Sequence, residues 1–394
     1  MNRLKFLGLA LLLTLAVSPL SAMTLDEVIE KHIEARGGQE SWSAVQSMTL
    51  EGTFHSFSKV GPFTLHRSRD NHYYLDHIFN GRRTFIGYDG ETPWWIHPMR
   101  GGAWPQRITG IDQAVLMQKL DFESPFFDYA KKGYQVELLE NGDLEGQEAL
   151  RLKLVRTEGG DEETWYLDPD TYLEMGFDAT GSDFGAPRPQ RTFFDDYREV
   201  NGVQIPFYSE AQWYTRLRIF EVENITINPE IDSKIFSMPI PEGMDALPDL
   251  TGDWKVAVEQ QAFPGGPWTQ SERTSSMTSR LRGAILEESY VDENSSPTVR
   301  QITWDSLRKQ YQITHIDDGL GMLDVQRGGA MEEGKLVVSN AETGTPLKFD
   351  ETLIHLRTTY SEISTDGFKV EIATSQDGGQ NWAPTLRMTY SRPE

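Results

Sequence analysis

Five of the eight histidines fall between residues 55 and 97: His55, His66, His72, His77 and His97. Imidazoles gathered in one segment could hold a metal ion. Their spacing argues otherwise, because His72 and His77 stand five apart, on opposite faces of a strand, and no carboxylate completes a pattern such as H-E-x-x-H. The acidic pairs Asp195-Asp196, Glu287-Glu288 and Asp317-Asp318 could serve as acid and base. Neighbours on a strand face apart, however, so each pair reads as one solvated and one hydrogen-bonded carboxylate. There is no G-x-S-x-G elbow, no cysteine, no P-loop and no dinucleotide fingerprint. The sequence therefore shows no catalytic constellation and implies no metal and no cofactor.

The residues that stand out are apolar. The segment YDGETPWWIHP, residues 88–98, sets Trp94, Trp95 and Ile96 directly after the turn pair Asp89-Gly90. It reads as a hairpin whose second strand is aromatic on both faces. One face can pack on a core. The other needs a helix, another domain or an apolar ligand to cover it.

The elements around this hairpin follow from pattern. Thr24 and Glu27 form a capping box, Leu25, Val28, Ile29 and Ile33 share a helix face, and Gly37-Gly38 supplies the stop. A short helical piece at 39–45 follows. Segments 48–57, 63–69, 73–79, 84–88 and 94–97 are rich in aromatic and β-branched residues and read as an antiparallel meander. Residues 108–120 and 125–132 break that rhythm as two inserted helices, with Ile111, Val115, Leu116 and Leu120 at helical spacing. Strands resume at 134–140, 149–157, 163–167 and 173–179. One hairpin turns over Asp168-Pro169-Asp170-Thr171 and another over Asn201-Gly202. The sum is one strongly curved sheet with helices on its concave side. Those helices either complete a permanent core or open over an apolar guest, and pattern alone leaves both readings standing.

Charge and punctuation set the wider organisation. Sixty acidic residues against 37 basic give a net charge of −23, which disfavours nucleic acid and charge-driven membrane binding. Arg3 and Lys5 precede an apolar run at 6–17 that closes with small residues, so 1–22 is expected to be a secretory signal peptide. Without cysteine the mature chain has neither a lipid-modified Cys nor disulfides, and is expected to be soluble with no transmembrane segment. Prolines and a glycine at 238–243 mark a boundary. The expected division is a first domain at 23–240, a Pro/Gly linker at 241–247 and a second domain at 248–394. About ten short strands in that second domain imply a closed barrel.

The succession of an aromatic strand after Arg69-Asp70-Asn71, the YDGETPWWIHP segment, the WYLDPDTYLEMGF hairpin and the closing NPEIDSKIF run at 228–236 resembles the LolA-like superfamily of periplasmic lipoprotein and lipid carriers. The resemblance covers most of residues 23–245 and implies an incomplete β-barrel with a helical lid over a cavity that receives acyl chains. It also implies an arginine near the start of an early strand that holds the lid. Arg69 fits that place best, with Arg67 two residues away on the same face. The lipoprotein carriers themselves are single-domain. In the second half, Leu250-Thr251-Gly252-Asp253-Trp254 and Thr389-Tyr390-Ser391-Arg392 resemble the calycin, lipocalin-like barrels, in which such a glycine, tryptophan and late arginine are structural. The run SQDGGQNW at 375–382 resembles the Asp-box of sialidase-type propellers, where it is a turn device.

The expected fold class is therefore mainly β: an N-terminal curved antiparallel half-barrel with a helical lid, plus a C-terminal closed antiparallel lipocalin-like β-barrel. The resemblance implies a periplasmic, non-enzymatic carrier for a lipid, an acyl chain or a lipoprotein. A non-catalytic scaffold docking an envelope protein is the alternative, and a hydrolase acting on an envelope lipid or glycan is the third. Trp94, Trp95, Ile96, Ile111, Val115, Leu116 and Leu120 are the expected cavity lining.

Overall fold

Thr24 caps α1 (Leu25–Ala35) reciprocally: its hydroxyl accepts from the Glu27 N–H, and the Glu27 carboxylate accepts from the Thr24 N–H. The computed structural model describes residues 23–156, 160–214, 216–291, 297–318, 321 and 323–393. The expected signal peptide lies outside them, as does the side chain of Asp317. Gly37 then turns the chain into α2 (Gly38–Ala44) at φ +105°, a region that disfavours side chains. A Cβ there would also meet the Gly202 carbonyl at 2.2 Å, so the stop is a point of close packing as well.

Fourteen antiparallel strands make up the first sheet. The first meander is β1 (Ser47–Ser56), β2 (Lys59–Ser68), β3 (His72–Phe79), β4 (Arg82–Tyr88), β5 (Pro93–Ile96) and the short β6 (Gln106–Arg107). The second is β7 (Gln135–Leu138), β8 (Gly142–Leu144), β9 (Gln147–Val155), β10 (Glu162–Leu167), β11 (Glu174–Asp183), β12 (Ala186–Val200), β13 (Val203–Trp213) and β14 (Arg216–Ile227). They join where β14 pairs with β1, giving the order 6-5-4-3-2-1-14-13-12-11-10-9-7, with β8 beside β9. The expected hairpins over 168–171 and Asn201-Gly202 are β10–β11 and β12–β13.

Between the meanders lies α3 (Gly110–Met117), inside the expected helix at 108–120. The second inserted helix, expected at 125–132, is a run of turns instead. Asp128 sits there at φ +51°, which ends any right-handed helix, and buried Phe126 and Phe127 hold the turns in the core. Phe126 joins Val28, Ile29, Leu152, Leu154, Trp165 and Phe177 in one cluster, so α1 and the turns pack on the second meander. Among the described residues no helix is long and apolar enough to cross a membrane.

The chain divides after Met238. In the second unit α4 (Glu242–Asp245) falls within the expected linker and folds with the barrel: Met244 is buried in its core, and the Tyr311 hydroxyl donates to the Gly243 carbonyl at 2.5 Å. The strands are β15 (Gly252–Gln261), β16 (Trp268–Arg280), β17 (Ile285–Val291), β18 (Pro297–Asp305), β19 (Gln310–Asp317), β20 (Leu323–Gly328) and β21 (Leu336–Ser339). Then come β22 (Leu347–Phe349), β23 (Thr352–Ser361), β24 (Gly367–Ser375) and β25 (Ala383–Ser391). Pairing of β15 with β25 and of β21 with β23 closes a ten-stranded antiparallel barrel around Trp254, Tyr311, Phe368 and Tyr390.

Candidate functional site

Strand alternation sends Phe54, Leu75, His77, Ile86 and Trp95 from the first meander to the same side as Gln190, Ala211, Trp213, Arg218 and Phe220 from the second. All ten border one cavity of about 120 Å³, so the sheet wraps around it. A second cavity of about 260 Å³ adjoins it, among Leu50, Phe63, Leu65, Trp165, Phe177 and Phe194. Tyr73, Lys119, Gln190, Ala211, Arg218 and Phe220 border both. Val115 and Leu116 of α3 close the smaller cavity, and residues 118, 119 and 121–125 close the larger one with Arg36 and Trp42.

Of the expected lining, Trp95, Val115 and Leu116 border the smaller cavity, while Trp94, Ile96, Ile111 and Leu120 border neither. Trp94 is turned to the opposite face by the two-residue period of β5. There its indole N–H donates to the Phe236 carbonyl at 2.7 Å and its ring covers Gly87, where a Cβ would lie 2.2 Å from the indole. The face that needed a cover is thus closed by the end of the first unit. Leu120 is buried among Phe54, Leu75 and Leu116 as core.

The cover is fastened by charge. Arg67 donates to the carbonyls of Lys119 at 3.3 Å, Leu120 at 3.1 Å and Asp121, all just past α3. Arg69 donates to Val45 O at 2.9 Å, to Trp42 O and to the Glu123 carboxylate, tying α2 to the same segment. Both arginines hold the cover, Arg67 at the helix end and Arg69 one step further. Arg156 bridges Asp121, Glu163 (2.7 Å) and Gln118 O (3.2 Å), and Lys132 adds a contact to Asp121 at 2.9 Å. Burial works to raise the Asp121 carboxyl, but Arg156 and Lys132 outweigh it and hold it below the usual range.

Other polar groups are arranged by the same logic. Burial would raise Glu174, yet Arg36 at 2.5 Å, His32 and the Tyr197 hydroxyl bring it to about 2. Burial, helped by Arg36, lowers His32 against the pull of Glu174; its Nδ1–H donates to Tyr172 O, and its Nε2 lies 2.9 Å from the Ser124 hydroxyl. On the smaller cavity, burial pushes His77 down to about 3, with His97 and Arg218 adding to it, and His97 to about 4, with Arg100 and Arg218 adding to it. The remaining histidines are separate: His55 contacts Glu221, His66 contacts Thr49 and His72 contacts Ser68. Among the described residues no three His, Cys, Asp or Glu side chains converge to hold a metal.

Lys119, Arg218 and Arg156 escaped the reading from sequence. A signal existed for Arg218, which alternates with Phe220 and Val222 along β14 and so shares their inward face. For Lys119, inside the expected helix at 108–120, no local pattern gave one.

In the second unit the Arg392 guanidinium lies 3.7 Å over the Trp254 ring and donates to Thr251 O at 2.8 Å, beside Gly252 at φ +108°. All three residues are structural. Glu288 is buried against Arg300 at 3.1 Å and the Tyr390 hydroxyl at 2.7 Å, while Glu287 faces Gln301 and Arg280. Asp195 accepts from the Asp196 N–H, and Asp196 pairs with Arg198. The Asp377 carboxylate gathers Ser375, Gln380 and Asn381 into the β24–β25 turn, as a turn device should.

The fold and its cavity define a class: a sheet wrapped around a covered apolar space, followed by a closed barrel. Residues 244–392 match a family described as a protein of unknown function, DUF1579. No curated protein matches. Among solved structures, a LolA superfamily protein, NE2245 from Nitrosomonas europaea, is similar at 12% identity and a TM-score of 0.39, over 55% of this chain and 98% of that one. A DUF1329 family protein from Desulfovibrio piger is similar at 11% and 0.38, over 54% and 96%. Rv2717c from M. tuberculosis is similar at 12% and 0.32, over 40% and 100%.

Proposed function

We propose that the protein is a periplasmic carrier, exported by residues 1–22, that sequesters a lipid, an acyl chain or the acylated end of a lipoprotein in the first unit. The observation that carries this reading is the pair of adjoining cavities, walled by aromatic and aliphatic side chains from both meanders and roofed by a short helix and an ion-paired segment. Each methylene moved from water into such a space contributes about 0.8 kcal/mol, so a dozen carbons suffice for tight binding without specific polar contacts. The role is transport rather than catalysis. The order of elements that resembles the lipid carriers points the same way.

The test is native mass spectrometry of the protein purified gently from its own envelope fraction, followed by extraction and lipid identification. One or two lipids per chain are expected. Ala211 borders both cavities, so Ala211→Phe should plug the space between them and abolish uptake of a fluorescent fatty acid with the β-sheet circular dichroism unchanged. An empty wild-type chain in repeated preparations, or full uptake by the plugged variant, would overturn the carrier reading in favour of a scaffold that docks an envelope protein.

A further inference from the structure

We propose that the cargo is an anionic amphiphile, an acyl chain whose carboxylate or phosphate is received by Lys119 and Arg218 at the seam of the two cavities while its hydrocarbon lies among the aromatic walls. The inference rests on the carrier reading and names the headgroup.

Among the described residues, the other cations that border the cavities each have a carboxylate or carbonyl partner. Arg36 is matched by Glu174, Arg67 by three carbonyls and Arg100 by Asp112 at 2.6 Å. Among the described residues neither Lys119 nor Arg218 is ion-paired. The nearest acidic groups are committed elsewhere: Asp112 also accepts from the Ser182 hydroxyl at 2.6 Å, and Asp183 is taken by Arg216. The Arg218 guanidinium is held by ring faces alone, Trp213 at 4.3 Å and Phe79 at 5.1 Å.

Donors at this place are also unsatisfied. The indole N–H groups of Trp95 and Trp213 and the Nε–H of Arg218 are buried without an acceptor. These are hydrogen-bond donors, so what fits them is an acceptor-rich anion and not a cation or an amide. Lys119 is an exposed residue that borders both cavities, so its amine is open to an entering headgroup. Arg218 borders the same space and repels the Lys119 amine, and an anion between the two cations relieves that repulsion. A partly buried charge such as Arg218 is costly without a counter-ion, and a chain with 60 acidic residues has no shortage of carboxylates to place there.

The experiment compares palmitate, hexadecyl phosphate and methyl palmitate on the full mature chain, by displacement of a neutral fluorescent acyl probe, with inorganic phosphate alone as a control. Wild type should bind one or both anionic chains at least about tenfold tighter than the ester. Lys119→Met and Arg218→Met should each erase most of that preference and leave the ester within about twofold, while Lys119→Arg keeps it. If one methionine variant fails to fold by circular dichroism, the other carries the test. Equal affinity for all three chains in wild type overturns the headgroup assignment and leaves the carrier standing. Inorganic phosphate displacing the probe as well as the anionic chains reassigns the site to a free anion. Failure of all three chains to bind folded protein removes the carrier reading, and this inference with it.

Discussion

Trp94 and Trp95 are neighbours in the sequence with unlike surroundings, because β5 sends one into the interior behind Phe236 and the other to the cavity. Trp94 is 1% exposed, and its truncation removes a filled core and a buried hydrogen bond together. Trp94→Ala should therefore lower the stability of the first unit by about 3–5 kcal/mol in urea unfolding. Trp95→Ala should cost clearly less and impair acyl uptake instead. Equal losses from both would contradict the division. From the sequence, the aromatic strand was visible but the face of each tryptophan was not, since alternation gives opposite sides without saying which one meets the cavity. Arg69 was legible as a tether only through the resemblance, which implies an arginine near the start of an early strand. The contacts of Arg67 to three carbonyls depend on where α3 ends, which no local pattern encodes.

At the level of elements, α3 is short and its own eight residues bury little beyond Leu116, so its position depends on the segment that follows. That segment is fixed by Arg67, Arg69, Arg156 and Lys132 rather than by apolar packing alone. Arg67→Met should loosen it. The expected readout is faster amide hydrogen exchange at residues 110–124, by at least about tenfold, with exchange in β9 and β10 unchanged. Unaltered exchange in 110–124 would show that packing suffices to hold the cover. The helix at 108–120 was legible from its period, whereas 125–132 was mistaken for a helix because buried Phe126 and Phe127 and half-buried Tyr129 mimic one. Asp128 in the left-handed region is the feature that decides between them. The closed barrel was legible from strand number and spacing, and only the place of α4 against its core was not.

Across the whole molecule, buried neutral histidines make stability depend on pH. His77 and His97 titrate at about 3 and about 4 when folded and near 6.5 when unfolded. Between those values only the unfolded chain takes up the proton, so stability is full above about 6.5 and falls as pH drops, by about 1.4 kcal/mol per unit for each histidine. Glu174, at about 2, acts lower down: its contribution is full above about 4.5 and is lost as pH falls towards 2. The urea midpoint should therefore decline from pH 7 to pH 5, before carboxylates matter. His77→Gln should shrink that decline by about 2 kcal/mol at pH 5, and an unchanged slope would place the cause elsewhere.

The first sheet never closes, which leaves two outer strands as potential templates for another chain. Those strands are β6, two residues long, and β7, four residues long with Gln135 and Glu137 facing solvent. Neither offers a run of free backbone groups long enough to seed polymerisation. The fourteen-stranded sheet can thus stay open around its cavities and still resist fibre growth.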